Sequence, residues 1–364
     1  YYAGLFYVQE PTAMAPVEIL EPESNSYVLD FCSAPGGKTV QIASKLNQTG
    51  VIFANDINFN RLKAVIKNIE KYGIKNAVVI NNKEEEIAEK FQSYFDFILV
   101  DAPCSGEGMF RKDEKMVNSW SFDEVDKYAN MQKNLLFNAE MVLKSGGSLL
   151  YSTCTFNKKE NEDQVSNFIE ETGIELIDVK KENGFSEGVG IKEVVRLFPH
   201  KLRGEGHFLA KFKKKGIDES FEHIPSATEA PPEFTEFMDK YFVENLRGHF
   251  RLYGDKLYMS PVAEDKLVGL NVLRNGWYLG EIKKSRFEPS QSFAMGLSCK
   301  EFNNRISFSQ SDTNVIKYLK GDTLHYAGEN GWYLVCVEGY PLGWAKLSQG
   351  VLKNKYAISW RMLT

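Results

Sequence analysis

Cysteine is scarce in this chain of 364 residues: there are five, an odd number, scattered without a C-x-x-C pair. Histidine is as sparse, with five residues and no cluster at metal-ligand spacing. A disulfide framework and a zinc site are therefore not expected, no metal is assigned, and a reducing cytoplasm is the expected location. No uninterrupted apolar stretch is long enough to span a bilayer, and the start does not read as a signal peptide. Positive charge is not in excess: 44 Lys and Arg against 49 Asp and Glu leave a net charge of −5. That balance does not advertise a nucleic-acid binder, although a basic groove can sit on an acidic molecule. Repeats and low-complexity tracts are also lacking. The first residue is Tyr1 rather than Met, so the natural N-terminus is expected to lie upstream.

What is present is an alternation. Val28-Leu29-Asp30 reads as a strand, Phe31 to Lys38 as a small-residue loop, and Thr39-Val40 as the start of a helix. Further strands are read at Val51–Ala54, Ala77–Ile80, Phe97–Val100, Ser148–Tyr151 and His207–Phe212. Helices are read from Asn60 to Tyr72, from Met131 to Leu143 with Gly146-Gly147 closing it, and from near Lys159 to Glu171. The aromatic run Tyr1 to Pro16 reads as a packing strap. Regular β-α alternation implies an α/β fold with an open, mostly parallel, doubly wound sheet. After Lys213-Lys214-Lys215 the composition shifts, and the length allows two or three domains. The expected division is a catalytic domain over 1–215, a linker over 216–232, a small α+β module over 233–290 and a β-rich module over 291–364.

The Phe31 to Lys38 loop has the form of a ligand site at the carboxyl edge of such a sheet. Gly36 and Gly37 allow close backbone approach, and the helix start offers free N–H groups to a nucleotide or a carboxylate. It is neither the G-x-G-x-x-G fingerprint nor a Walker loop, since the required further glycines are missing. Asp56, at the end of the second strand, is placed to accept from a ribose diol. Two later strands deliver Cys104, in Asp101-Ala102-Pro103-Cys104-Ser105-Gly106, and Cys154, in Ser152-Thr153-Cys154-Thr155. A single cysteine is more often a small buried apolar residue than a nucleophile. Two of them, flanked by small polar residues at one ligand-binding edge, favour reactivity.

These residues carry a resemblance. Leu29-Asp30 with Ala34-Pro35-Gly36-Gly37-Lys38, Asp56, the Asp101–Gly106 stretch and Ser152–Thr155 are similar to the motifs of the Nol1/Nop2/Sun family of S-adenosylmethionine-dependent RNA cytosine-C5 methyltransferases. Secondary matches are Phe110-Arg111, Glu160-Asn161-Glu162 and Gly204–Phe208. Gln9-Glu10-Pro11, Gly106–Lys112 and the extra C-terminal modules most resemble the bacterial RsmF-type branch, which acts on 16S ribosomal RNA in the decoding region. The resemblance implies a Rossmann-like methyltransferase domain with S-adenosylmethionine as cofactor. It implies that Cys154 adds to C6 of cytosine and that Cys104 assists product release. Asp101 is implied to line the cofactor site, to hydrogen-bond the N3/N4 edge of the base and, if protonated, to stabilise the adduct. Cys32, Ser33, Ala34, Pro35, Gly36, Gly37 and Lys38 are implied to hold the methionine part, Asp56 the ribose and Asn82 the adenine. Arg61 and Lys38 are each either cofactor contacts or solvated helix residues.

Around the site, Arg111 and Lys112 read as phosphate contacts or as a surface pair, and His207 reads as structural. Cys299 and Cys336 read as core residues. In the C-terminal part, cations such as Arg251, Arg274 and Arg286 interleave with Phe250, Tyr253, Tyr258, Trp277, Tyr278 and Phe287. That pattern suits RNA phosphates and unstacked bases, or equally a solvated face around a β core. Leu342-Gly343-Trp344-Ala345-Lys346 resembles a segment of PUA-like barrels. The leading expectation is an rRNA 5-methylcytosine methyltransferase acting on the small ribosomal subunit as a monomer. The alternatives are an RNA-binding assembly factor with vestigial catalysis, the same chemistry on another RNA, and a DNA cytosine methyltransferase that attacks through Cys104.

Overall fold

The computed structural model describes residues 1–112, 114–182, 184–217 and 225–363. The helix α1 (Pro11–Leu20) starts where Glu10 accepts from the amides of Thr12 and Ala13. Its first part overlaps the end of the stretch read as an aromatic strap. The first strand, β1 (Tyr27–Asp30), is buried throughout. Tyr27, Leu29 and Phe31 enter one core layer and Val28 the other, as the two-residue period of a strand requires. Then follow α2 (Gly37–Leu46), β2 (Val51–Asn55), α3 (Phe59–Lys71), β3 (Ala77–Ile80), α4 (Glu84–Lys90) and β4 (Phe95–Asp101). The short helix α5 (Glu114–Ser119) precedes α6 (Phe122–Val142), β5 (Leu143–Thr153) and α7 (Glu162–Thr172).

Strands β3, β2, β1, β4 and β5 lie side by side and parallel. Apolar residues of α1, α2 and α3 fill the layer on one face, and those of α4, α6 and α7 fill the other. This is the doubly wound arrangement. The sheet is mixed rather than all parallel. After three short strands, β6 (Glu175–Ile177), β7 (Ser186–Glu187) and β8 (Val195–Leu197), the chain returns as β9 (His207–Lys213), antiparallel to β5.

Two boundaries differ from the sequence reading. α6 begins nine residues earlier than Met131, because Ser121 accepts from the amide of Glu124 and Val125, Ala129 and Gln132 continue the buried stripe. Gly146 and Gly147 do not close that helix. They lie within β5, and a Cβ on Gly147 would come within 2.9 Å of the Asp96 carbonyl.

Beyond Lys213, residues 218–224 of the expected linker fall outside the described residues. The chain continues through α8 (Pro232–Tyr241), β10 (His249–Tyr253), β11 (Lys256–Ser260), β12 (Val272–Asn275), β13 (Trp277–Lys283), β14 (Arg286–Pro289) and α9 (Gln291–Gly296). Strands β10, β11, β13 and β14 form an antiparallel sheet. A five-stranded sheet is built from Arg305–Phe308, Leu324–His325, Gly331–Val337, Tyr340–Ser348 and Val351–Asn354. One core joins Phe234, Trp277 and Phe293 with Leu334 and Trp344. The position of β12 was not anticipated. It pairs antiparallel with β3, placing Val272 opposite Ile80, and forms the edge of the catalytic sheet. The segment expected as a separate module thus completes the sheet that carries the site. No helix among the described residues is long and apolar enough to cross a membrane.

Candidate active site

Strand β1 delivers Asp30 to the carboxyl edge, and the chain turns through Cys32 to Gly36 into α2. Gly36 holds φ 104°, a left-handed conformation that favours glycine, and a Cβ there would lie 3.1 Å from Val65 Cα. No side chain caps the start of α2, which leaves its first amides available to an anion. Asp56, at the end of β2, is buried. One of its oxygens accepts from the amide of Asn58 at 2.8 Å and the other from Ala34 at 3.3 Å. Arg61 donates to the Ala34 carbonyl at 2.7 Å and lies 3.4 Å from Asp56, so it braces the loop against the acid. Two buried polar atoms of this cradle have no partner: Asp30 Oδ1 and Ser33 Oγ. Uncapped amides, two orphaned polar atoms and a ribose-height carboxylate fit a zwitterionic amino acid joined to a nucleoside. Burial, opposed by the Thr39 hydroxyl at 2.6 Å, pushes the Asp30 carboxyl up to about 7.

Asp101 ends β4. One carboxylate oxygen is 2.7 Å from Lys38 Nζ and the other accepts from Ser152 Oγ at 2.6 Å. Burial acts to raise the Asp101 pKa, but Lys38, His207 and Ser152 outweigh it and hold the group below the usual carboxylate range. The conditional role of a protonated Asp101 thus meets a site in which Lys38 favours the ionised carboxylate. Burial acts to lower the pKa of Lys38, yet Asp101 carries it above the usual value, so Lys38 keeps its proton. His207 behaves as a structural residue. It is buried, lies 3.3 Å from Thr12 Oγ1, and is pushed down to about 4 by burial and then by Lys38, which keeps it neutral.

Cys104 and Cys154 follow adjacent strands, β4 and β5, and their sulfur atoms are 3.3 Å apart. The contact with Cys154, followed by burial, raises the Cys104 thiol well above its usual value. Cys104 thus holds its proton and can donate it to the neighbouring sulfur. Burial also raises the Cys32 thiol, so Cys32 lines the loop as a protonated group. The cysteines are held by the Glu160-Asn161 pair. Glu160 accepts from the Ser105 amide at 3.0 Å, the Ser105 hydroxyl at 2.5 Å and Gln132 at 2.9 Å, which ties down the Cys104 loop. Asn161 accepts from Thr153 at 2.6 Å and donates to the Thr155 carbonyl at 3.0 Å, spanning Cys154 on both sides. Glu162 makes a buried two-pronged ion pair with Arg196, both bonds at 2.6 Å.

The structure therefore gathers Cys32 to Lys38, Asp56, Arg61, Asp101, Cys104 and Cys154 at one sheet edge. Asn82 lies there as well, just past β3, but its amide is committed: it donates to Glu86 at 2.8 Å and accepts from the Asn271 amide at 3.0 Å. Arg111 is bonded to the Gly204 carbonyl at 2.9 Å, while Lys112 is exposed. Sequence reasoning did not assign roles to Glu160, Gln132, Ser152 or the Glu162–Arg196 pair. The signal for the acids was present in Glu160-Asn161-Glu162; Gln132 and Arg196 carried none. In the C-terminal part Phe250, Trp277 and Phe287 are core residues. Arg274 is buried, donates to Glu70 and Ser292 at 2.7 Å each, and reads as a structural tie. Cys299 and Cys336 are buried neighbours in the core.

A doubly wound sheet with a nucleoside-and-amino-acid cradle beside a cysteine pair defines a Rossmann-like methyltransferase. Residues 17–213 match the 16S rRNA methyltransferase RsmB/F family, and the chain belongs to that family. Residues 236–297 match the RsmF rRNA methyltransferase first C-terminal domain, and 305–362 match the methyltransferase RsmF PUA domain. Among relatives, the ribosomal RNA small subunit methyltransferase F of Shewanella sp. (strain MR-4) is 31% identical over 376 residues, covering 96% of this chain and 78% of the relative. That of Vibrio cholerae is 37% identical over 347 residues, covering 90% and 73%. Among solved structures, NSun6 from Pyrococcus horikoshii with SFG, an S-adenosylmethionine analogue, is 33% identical with TM-score 0.54, covering 59% of this chain and 55% of that one. A methyltransferase homolog protein from the same organism is 32% identical with TM-score 0.52, covering 58% and 69%.

Proposed function

We propose that this protein transfers a methyl group from S-adenosylmethionine to C5 of a cytosine in 16S ribosomal RNA of the small subunit, in the cytoplasm and as a monomer. The observation that carries the reading is the pair of sulfurs, Cys104 and Cys154, 3.3 Å apart beside the Lys38–Asp101 ion pair. Carbon 5 of cytosine is a poor nucleophile until the ring loses its aromaticity. In this reading the Cys154 thiolate adds to C6, and the ring pair of electrons moves toward C5 and N3. Asp101 accepts from the exocyclic N4 amine, and Lys38 donates to the charge developing on the ring. When bound, S-adenosylmethionine supplies an electrophilic methyl group to C5. The uncapped amides of α2, Ser33 and Asp30 hold its amino-acid end, and Asp56 holds its ribose.

After methylation Cys104, having lost its own proton to solvent, takes the C5 proton as a thiolate, and the freed bonding electrons expel Cys154 from C6 as its thiolate, restoring the aromatic ring. Cys104, with its sulfur 3.3 Å from that of Cys154, is placed for that step. The largest cause of its raised pKa is the bond to Cys154. Once Cys154 is bonded to carbon, that cause weakens and Cys104 can take part in proton transfer.

The test is transfer of label from S-adenosylmethionine to small subunits and to deproteinised 16S RNA, with the modified positions mapped. Label at C5 of a cytosine, lost with Cys154→Ala, supports the reading. Label at another atom or base contradicts the chemistry. No transfer to either RNA, despite cofactor binding, favours the assembly-factor alternative.

A further inference from the structure

Two residues beyond Cys154, Phe156 opens a run of rings that the chemistry above does not use. Phe156 stacks on Phe198 with centroids 5.7 Å apart and planes 24° from parallel. Phe198 stacks in turn on His200 at 5.3 Å and 29°. Core pairs such as Phe53–Phe91 and Phe168–Phe212 meet edge to face and are fully buried. This run instead climbs from half-buried Phe156 and Phe198 to exposed His200.

The rungs are held in place. The Phe156 amide donates to Glu107 at 2.9 Å, and its carbonyl accepts from Arg196 at 2.8 Å. Gly206 makes room for the ring, since a Cβ there would lie 2.5 Å from Phe156 Cζ. The amide of Lys201 donates to the Phe198 carbonyl at 2.9 Å and closes the turn that carries His200. Arg203, three residues further on, is exposed and has no carboxylate partner among the described residues. A fixed aromatic ladder with one open end, and an exposed arginine three residues further along the chain, suit a planar base joined to a phosphate.

We propose that Phe156, Phe198 and His200 form a stacking platform for an unpaired nucleobase next to the cytosine presented to Cys154, with Arg203 placed for its phosphate. The inference rests on the RNA reading of the Cys154 site. A cytosine attacked at C6 must leave its stack, and the base beside it then loses a neighbour. The ladder replaces that neighbour and fixes the strand relative to the nucleophile.

The test uses the whole chain and a single-stranded RNA oligonucleotide with one cytosine flanked by 2-aminopurine. Wild type and Cys154→Ala are expected to quench the 2-aminopurine on binding. His200→Ala is expected to lose the quenching and to weaken RNA binding about tenfold, while His200→Trp restores both. Affinity for S-adenosylmethionine stays the same in the His200 variants. Equal quenching by wild type and His200→Ala, or no restoration by tryptophan, overturns the platform. RNA binding by wild type without quenching overturns the platform alone. Absence of RNA binding by wild type overturns the RNA reading and the platform with it.

Discussion

Asp30 is a buried acid whose protonation the proposed cofactor site would sense. It is buried, has one oxygen without a partner, and its carboxyl sits at about 7 rather than at the usual acid value. A raised folded-state pKa favours the protonated form. The stability contributed is then complete below the unfolded value, about 3.9, and is lost as pH rises through the folded one. The Tm of the ligand-free wild type is therefore expected to fall relative to Asp30→Asn between about pH 5 and about pH 8. The proposed site brings the positive charges of S-adenosylmethionine near Asp30, so the cofactor is expected to narrow that gap. Parallel Tm curves for the two proteins would contradict this. At this scale the sequence was informative about identity and silent about state. Asp101, Cys104 and Cys154 stand in recognisable motifs, but the ion pair of Asp101 with Lys38 joins residues 63 positions apart. Charge state follows from that pairing, which the motif alone does not contain.

Among the elements, the loop after β5 depends on a buried scaffold. Arg196 on β8 has 4% of its side chain exposed and Glu162 at the start of α7 has 1%. Arg196 also holds the Phe156 carbonyl. Arg196→Ala leaves a buried carboxylate unpaired, and we expect a loss of about 3–5 kcal/mol in unfolding free energy, measured by denaturant titration. A change within experimental error would show that the pair is dispensable. The strands and helices of the α/β part were legible because each carries its own period. Leu62, Val65 and Ile69 mark the buried stripe of α3, and β1 is apolar from end to end up to its acid. The start of α6 was missed because, from Phe122 to Asn130, only Val125 and Ala129 are buried, too thin an apolar stripe to show the helical period.

For the molecule as a whole, the catalytic sheet does not end within the catalytic segment. β12 covers the edge of β3, and Asn271 accepts from the Asn81 amide and donates its own amide to the Asn82 side-chain oxygen. Asn81 in turn donates to the carbonyls of Asp56 and Ile57 at 2.8 and 2.9 Å. The C-terminal part thus reaches Asp56 through two residues. Removing residues 217–364 exposes a buried edge strand, and such edges pair with other chains. The truncated protein is expected to melt at lower temperature and to elute as aggregate in size-exclusion chromatography. A monomer with unchanged Tm would contradict the dependence. None of this was legible in Val272-Leu273-Arg274-Asn275. A four-residue strand with a charged member has no clear period, and its partner lies almost 200 residues upstream, with Val272 opposite Ile80. The aromatic and basic pattern around it also read two ways, because rings of Phe250, Trp277 and Phe287 fill a core as readily as they stack on bases.

The division of labour between the two sulfurs is the central claim, and trapping of a covalent protein–RNA adduct tests it most directly. Cys104→Ala and Cys154→Ala, each incubated with 16S RNA and S-adenosylmethionine, are compared by denaturing electrophoresis. The account predicts a stable adduct with Cys104→Ala, because addition proceeds and release fails, and neither adduct nor methylated product with Cys154→Ala. An adduct that survives loss of Cys154, or one that requires Cys104, would contradict it.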